Sequence, residues 1–102
     1  MTKEAFEDPW QPMTRPADIR PLGKLGEEVT ELGTAIFRCL IQGIEESEPV
    51  TNKPNREWIE DEIADVQATA ELAVEHFGLD AARIAARKQK KQVRLRAWMA
   101  GL

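Results

Sequence analysis

The apolar positions of the chain fall into three runs with helical rhythm. In the first, Leu22, Leu25, Val29, Leu32, Ile36 and Cys39 recur at alternating three- and four-residue steps, the mark of one helix face. A second stripe runs through Ile59, Ile63, Val66, Ala70, Ala73 and Phe77. A third starts at Ile84 and resumes at Leu95 and Trp98, with Lys88 and Lys91 occupying the steps between. Turn and cap residues set the boundaries. Asp18 suits an N-cap with Pro21 in the opening turn, and Gly43 stops the first helix. Asn55 caps the second helix and Gly78 ends it, while Asp80 caps a third that Gly101 closes. The pattern predicts an all-α fold, a bundle of three main helices over 18–42, 55–77 and 81–99. Gly43 to Asn55, with two prolines among polar residues, reads as a loop. Residues 1–17 carry three prolines and little periodicity, so they read as an extended N-terminal arm ahead of a single helical domain over 18–102. Trp10, between Pro9 and Pro12, is expected to anchor that arm on the bundle or on a neighbouring subunit.

The polar positions change the picture where they meet the stripes. Glu28 falls at the edge of the first apolar face, and Glu31 sits one turn on along the same flank. Glu62 and Asp65 repeat that three-residue spacing on the second helix. Packed as antiparallel neighbours, the two helices would bring four carboxylates together. Like charges in a partly dehydrated groove resist ionising, and a hard cation relieves them. Oxygen ligands point to Mg2+, with Mn2+ able to substitute, because no His or Cys is placed to favour zinc. The same pairs also arise as plain decoration of a solvated face in a chain with eighteen acidic residues.

Charge adds an asymmetry. Residues 1–80 hold all eighteen acids against seven basic residues, a balance of −11, whereas 81–102 hold seven basic residues and no acid. Acidic helices beside a basic one suit a site that takes both cations and phosphates. The lysines of the third helix fit either a solvated face with snorkelling side chains or contacts to phosphate oxygens. His76, near the end of the second helix, suits the negative end of the helix dipole better than a ligand role. Cys39 has no disulfide partner, lies on the apolar stripe and reads as a small core residue. Met1 to Met13 is polar and acidic and does not read as a signal peptide, and no apolar run is long enough to span a bilayer, so a cytoplasmic location is expected.

Leu25-Gly26-Glu27-Glu28-Val29-Thr30-Glu31-Leu32, followed by Glu62-Ile63-Ala64-Asp65-Val66, resembles the MazG-like all-α nucleoside triphosphate pyrophosphohydrolases. Their hallmark is an E-x-x-E pair on one helix and an E-x-x-D pair on the next. The resemblance covers about residues 18–98. It implies that Glu28, Glu31, Glu62 and Asp65 hold Mg2+, with Glu27 a helper and Glu27, Glu28 and Glu31 the catalytic carboxylates. Lys88-Gln89-Lys90-Lys91-Gln92 is similar to the family segment K-x-x-K-N, with Gln92 in place of the Asn. Arg87, Lys88 and Lys91 would then hold the leaving pyrophosphate. The words Arg38 to Gly43 and Lys53 to Arg56 look most like a phage and bacterial subgroup acting on dATP and dGTP, which includes MazZ-type enzymes. For a phage-encoded chain the expected location is the host cytoplasm.

The reaction so implied cleaves a deoxynucleoside triphosphate between its α and β phosphates, giving monophosphate and pyrophosphate. Asn52 and Asn55 would offer amide edges to a purine base, and Trp10 or Trp58 would stack on it. A homodimer or homotetramer is expected, because Ala82, Ala85, Val93 and Ala97 leave a second apolar flank with no partner in the chain. The alternative is a non-enzymatic helical interaction module, or a nucleic-acid-binding module using the basic third helix. The acidic first 80 residues weigh against nucleic acid.

Overall fold

A computed structural model describes residues 8–101, and they form an all-α structure. Helix α1 spans Pro16–Gln42, α2 Asn55–Phe77 and α3 Ala81–Ala100, within two residues of the boundaries expected. Residues 1–7 of the arm lie outside the described residues. Trp10 is 78% exposed, so within one chain it does not dock on the helices as expected.

Two N-caps differ from expectation. The first helix starts at Pro16, after Arg15, and Asp18 sits in its first turn. Proline fits that first position because its missing N–H would have no intrahelical acceptor there. Pro21 accordingly lies inside α1, where it is buried. Asn55 is the first residue of α2 rather than its cap, which is Pro54. Gly78 ends α2 in the left-handed conformation (φ 60°), and the Leu79 N–H donates to the Val74 carbonyl. Asp80 caps α3 as expected, accepting from the Arg83 N–H at 2.9 Å.

Helices α1 and α2 form an antiparallel hairpin, with Cys39 beside Asn55 at the loop end and Asp18 beside His76 at the open end. Helix α3 stands outside this pair, and all twenty of its residues are exposed.

The α1 face that meets α2 keeps Leu25, Leu32 and Cys39 of the apolar stripe and is turned by one position at the other three, whereas the α2 stripe lies inward except at Ile63. On α1 the inward line is Pro21, Leu25, Glu28, Leu32, Ala35 and Cys39, and Leu22, Val29 and Ile36 point outward. On α2 the half-buried Glu62 takes the inward place expected for Ile63, which is exposed. Small residues explain the rotation. Ala35 and Ala73 are 3% and 2% exposed and let the helix axes approach closely, so the bulky side chains are turned out. Glu28 is carried inward with them.

Asn55 holds the loop end together. It is fully buried, and its amide nitrogen donates to Gln42 Oε1 at 3.1 Å and to the Gly43 carbonyl at 3.0 Å. Asn55→Ala should cost about 1–3 kcal/mol, because the buried amide bridge to Gln42 and Gly43 is lost and the Gly43 carbonyl keeps only the Glu46 N–H. Urea unfolding should show a lower midpoint at unchanged slope. An unchanged midpoint would mean the amide bridge contributes nothing.

Candidate metal centre

Glu28 sits midway along α1, on its inward line, and is 7% exposed. One turn before it, Lys24 Nζ lies 3.4 Å from Glu28 Oε1 and 3.3 Å from Glu27 Oε2. The other oxygen, Glu28 Oε2, is buried with no hydrogen-bond partner. Across the hairpin, Glu62 Oε2 is in the same state. Glu28, Glu62 and Asp65 each bring one carboxylate oxygen within 4.8 Å of the others. Antiparallel pairing produces this meeting: the two carboxylates of α2, three residues apart, straddle the one that α1 carries inward.

A buried carboxylate oxygen without a donor costs free energy until something positive reaches it. Burial is the main reason the Glu62 carboxyl is held above its ordinary pKa, with the charges of Asp65 and Glu28 adding to it. Glu31 is also raised, chiefly by the charge of Glu28, and stands on the wall of an adjoining cleft rather than among the three converging oxygens. The donor set fits a hard divalent cation. Oxygens in an octahedral Mg2+ shell lie about 3–4 Å apart at metal–oxygen distances near 2.1 Å, so three oxygens within 4.8 Å of one another would need to close by at most roughly 1–2 Å, within the reach of side-chain rotation. Glu27 is taken up by Lys24 on the exposed side of the turn.

The adjoining cleft, about 340 Å3, is lined by Glu31, Thr34, Ala35, Arg38, Trp58 and Glu62. Over the Trp58 ring sit two cations, Lys53 Nζ at 4.2 Å and the Arg38 guanidinium at 5.3 Å from its centre. Those cations occupy ring surface on which a base was expected to stack. The loop between the helices is closed on itself. Glu48 accepts from the Val50 and Thr51 N–H groups and the Thr51 hydroxyl, which lowers its pKa. Ion pairs Glu45–Arg56 and Lys53–Asp61 tie the loop to α2. Asn52 is exposed near the loop tip with φ 59°, whereas Asn55 has its amide nitrogen committed inside and presents no edge to a ligand.

Arg87, Lys88 and Lys91 line an open groove along α3 with Leu79, Asp80, Arg83 and Ile84, and none of the clustered carboxylates reaches it. The chain therefore brings together Glu28, Glu62, Asp65 and Glu31, and leaves the α3 cations and Trp10 apart from them.

Two features escaped the sequence. His76 Nε2 lies 2.8 Å from Asp18 Oδ1, closing the open end of the hairpin from 58 residues away. Arg38 joins Trp58 at the cleft, and the four- and three-residue steps from Glu31 to Ala35 to Arg38 on one flank of α1 could have placed it beside the acids.

No family model, curated protein or solved structure matches the chain. Among the described residues no helix is long and apolar enough to cross a membrane.

Proposed function

We propose that the chain is a Mg2+-dependent pyrophosphohydrolase of deoxynucleoside triphosphates, working as a homo-oligomer. The observation that carries this is the meeting of Glu28, Glu62 and Asp65 oxygens within 4.8 Å, with buried, unpartnered oxygens on two of them. The order of the motifs, E-x-x-E on α1 and E-x-x-D on α2, lends the nucleotide reading through its resemblance to the MazG-like family.

Glu28, Glu62 and Asp65 would hold the cation, which supplies charge neutralisation at the phosphates and acidifies an attacking water. Glu31 is the carboxylate left to accept that water's proton. It lines the cleft one turn from Glu28 and stands outside the three converging oxygens, so it is free to act as a base beside them. The hairpin provides rigid placement, because each acid is fixed on a helix rather than a loop.

The test is incubation with Mg2+ and the four dNTPs, with the products identified. Monophosphate and pyrophosphate are expected, with dGTP and dATP turned over better than dCTP and dTTP. Release of orthophosphate alone, or no turnover with any of them, overturns the reaction. A pyrimidine preference ends the subgroup assignment and leaves the reaction standing.

One observation favours a second reading. Helix α3 carries seven cations, all exposed and apart from the acidic hairpin, which suits a polyanion partner. Binding of oligonucleotide that weakens steeply with salt, in protein without dNTP turnover, would favour it.

A further inference from the structure

Beside the three converging oxygens lies one cation with no partner of its own. Arg38 lines the cleft with Glu31 and Glu62, the second of these a member of the carboxylate triad. Among the described residues it makes no hydrogen bond and no ion pair, its charge reaching Glu48 only at longer range, in contrast to Lys24, Lys53 and Arg56, each matched to a carboxylate. What holds it is Trp58, whose ring centre is 5.3 Å from the guanidinium carbon. A cation–π contact of this kind fixes the position of a guanidinium without consuming its donors. Five N–H groups thus remain free at the mouth of a half-enclosed cleft.

We propose that Arg38 is the residue that grips the phosphates of the substrate at the carboxylate centre, with Trp58 as its positioning residue, and that this chain does not use the cations of its own α3 for that purpose. The inference rests on the reading of Glu28, Glu62 and Asp65 as a metal site. A cation bound there would bridge to phosphate oxygens, and the next oxygens along the polyphosphate would meet a planar donor fork suited to bidentate contact. Lys53, at 4.2 Å from the same ring, is already paired with Asp61, so it holds the Trp58 ring rather than a ligand. The α3 groove has no carboxylate from the triad on its walls, so a phosphate bound there would lie apart from the metal.

The probe is inorganic pyrophosphate, titrated by calorimetry into full-length protein saturated with Mn2+, whose own binding is followed separately by its paramagnetic signal. Arg38→Gln should weaken pyrophosphate about ten- to a hundredfold, the usual effect of losing a charge-assisted contact. Arg38→Lys should recover part of that, and Trp58→Leu should weaken binding while leaving the Mn2+ affinity unchanged. The double variant Lys88→Ala/Lys91→Ala should bind pyrophosphate as wild type does. Wild-type affinity in Arg38→Gln, or loss confined to the α3 double variant, overturns the inference and leaves the metal site intact. Wild-type protein that takes Mn2+ but no pyrophosphate overturns it too. Protein that takes no Mn2+ at all fails the functional reading itself, and this inference with it.

Discussion

Glu28→Gln and Asp65→Asn should each abolish metal-dependent turnover while the helices survive. Removing a partner one shell out from a metal typically costs 10–100-fold, so losing a direct ligand should cost more than about a hundredfold. Stability should move the other way. In metal-free protein the three acids repel one another, and Lys24 offers one ammonium to two of the chain's carboxylates, Glu27 and Glu28. Neutralising one member relieves that repulsion, so the apo variants should melt at or above the wild-type temperature. Adding Mg2+ should raise the wild-type melting temperature, by an amount corresponding to about 2.7 kcal/mol at a hundred times the dissociation constant, and should do nothing for the variants. Undiminished activity in EDTA, or in both variants, would refute the metal centre.

The same repulsion gives the apo protein a pH dependence. Because the Glu62 carboxyl is raised in the folded chain, the native state holds its proton more tightly than the unfolded one. Its contribution to stability is present below the ordinary glutamate range and lost as pH rises through the raised value. Mildly acidic buffer should therefore stabilise apo protein through this group and weaken metal binding. Melting curves from pH 4 to 7, with and without Mg2+, separate the two effects.

The second large effect concerns assembly. The protein should be an oligomer at micromolar concentration, and Val29→Glu or Ile36→Glu should break it apart. The chain exposes 8664 Å2, roughly 2,900 Å2 above the 5,800 Å2 or so expected of a compact 11.5 kDa monomer. Its radius of gyration is 19.1 Å, against about 13 Å for a globular domain of this length. Counted over two chains the surplus is about 5,800 Å2, at the upper end of what permanent dimers bury. Helix α1 supplies a surface for it. Ile19, Leu22, Gly26, Val29, Gly33, Ile36 and Leu40 follow one another at alternating three- and four-residue steps along an outward line. That is the spacing of a coiled-coil seam. Gly26 and Gly33 have open space where a side chain would stand, which allows a second helix to approach closely. A glutamate at Val29 or Ile36 would bury a charge in the joint. Since Pro21, Ala35 and Ala73 are the buried apolar side chains of the hairpin among the described residues, a separated chain should also lose helicity on dilution. Light scattering at 11.5 kDa for wild type would refute the assembly.

That seam also explains what the sequence hid. The apolar residues of α1 belong to two faces, and Leu22, Val29 and Ile36 have the period of a core although they face out of the hairpin. Counting hydrophobic positions merges the two faces and moves Glu28 from the inside to an edge. Helix ends were legible, because Gly43, Gly78, Asp80 and Gly101 act through their own backbone and immediate neighbours. The carboxylate spacings were legible for the same reason, since three residues on a helix make neighbours whatever else the chain does. Asn55 bridging to Gln42, Arg38 resting on Trp58 and His76 meeting Asp18 depend on how two helices slide past each other. No local pattern records that register, so Asn55 read as a cap and His76 as a dipole partner.

The distribution of these cross-links favours one order of folding. Asn55 closes contacts only 12 and 13 residues apart, and short loops close at small entropic cost. The hairpin should therefore zip from the loop outward, a low-contact-order route on a fast timescale. The carboxylates meet midway along the zipper, and Asp18 and His76 join last across 58 residues. Refolding should show a concentration-independent phase that assembles the acids and a slower second-order phase that joins the chains. In the native protein the amides beside Asp18 and His76 should exchange with solvent first, and those flanking Asn55 last.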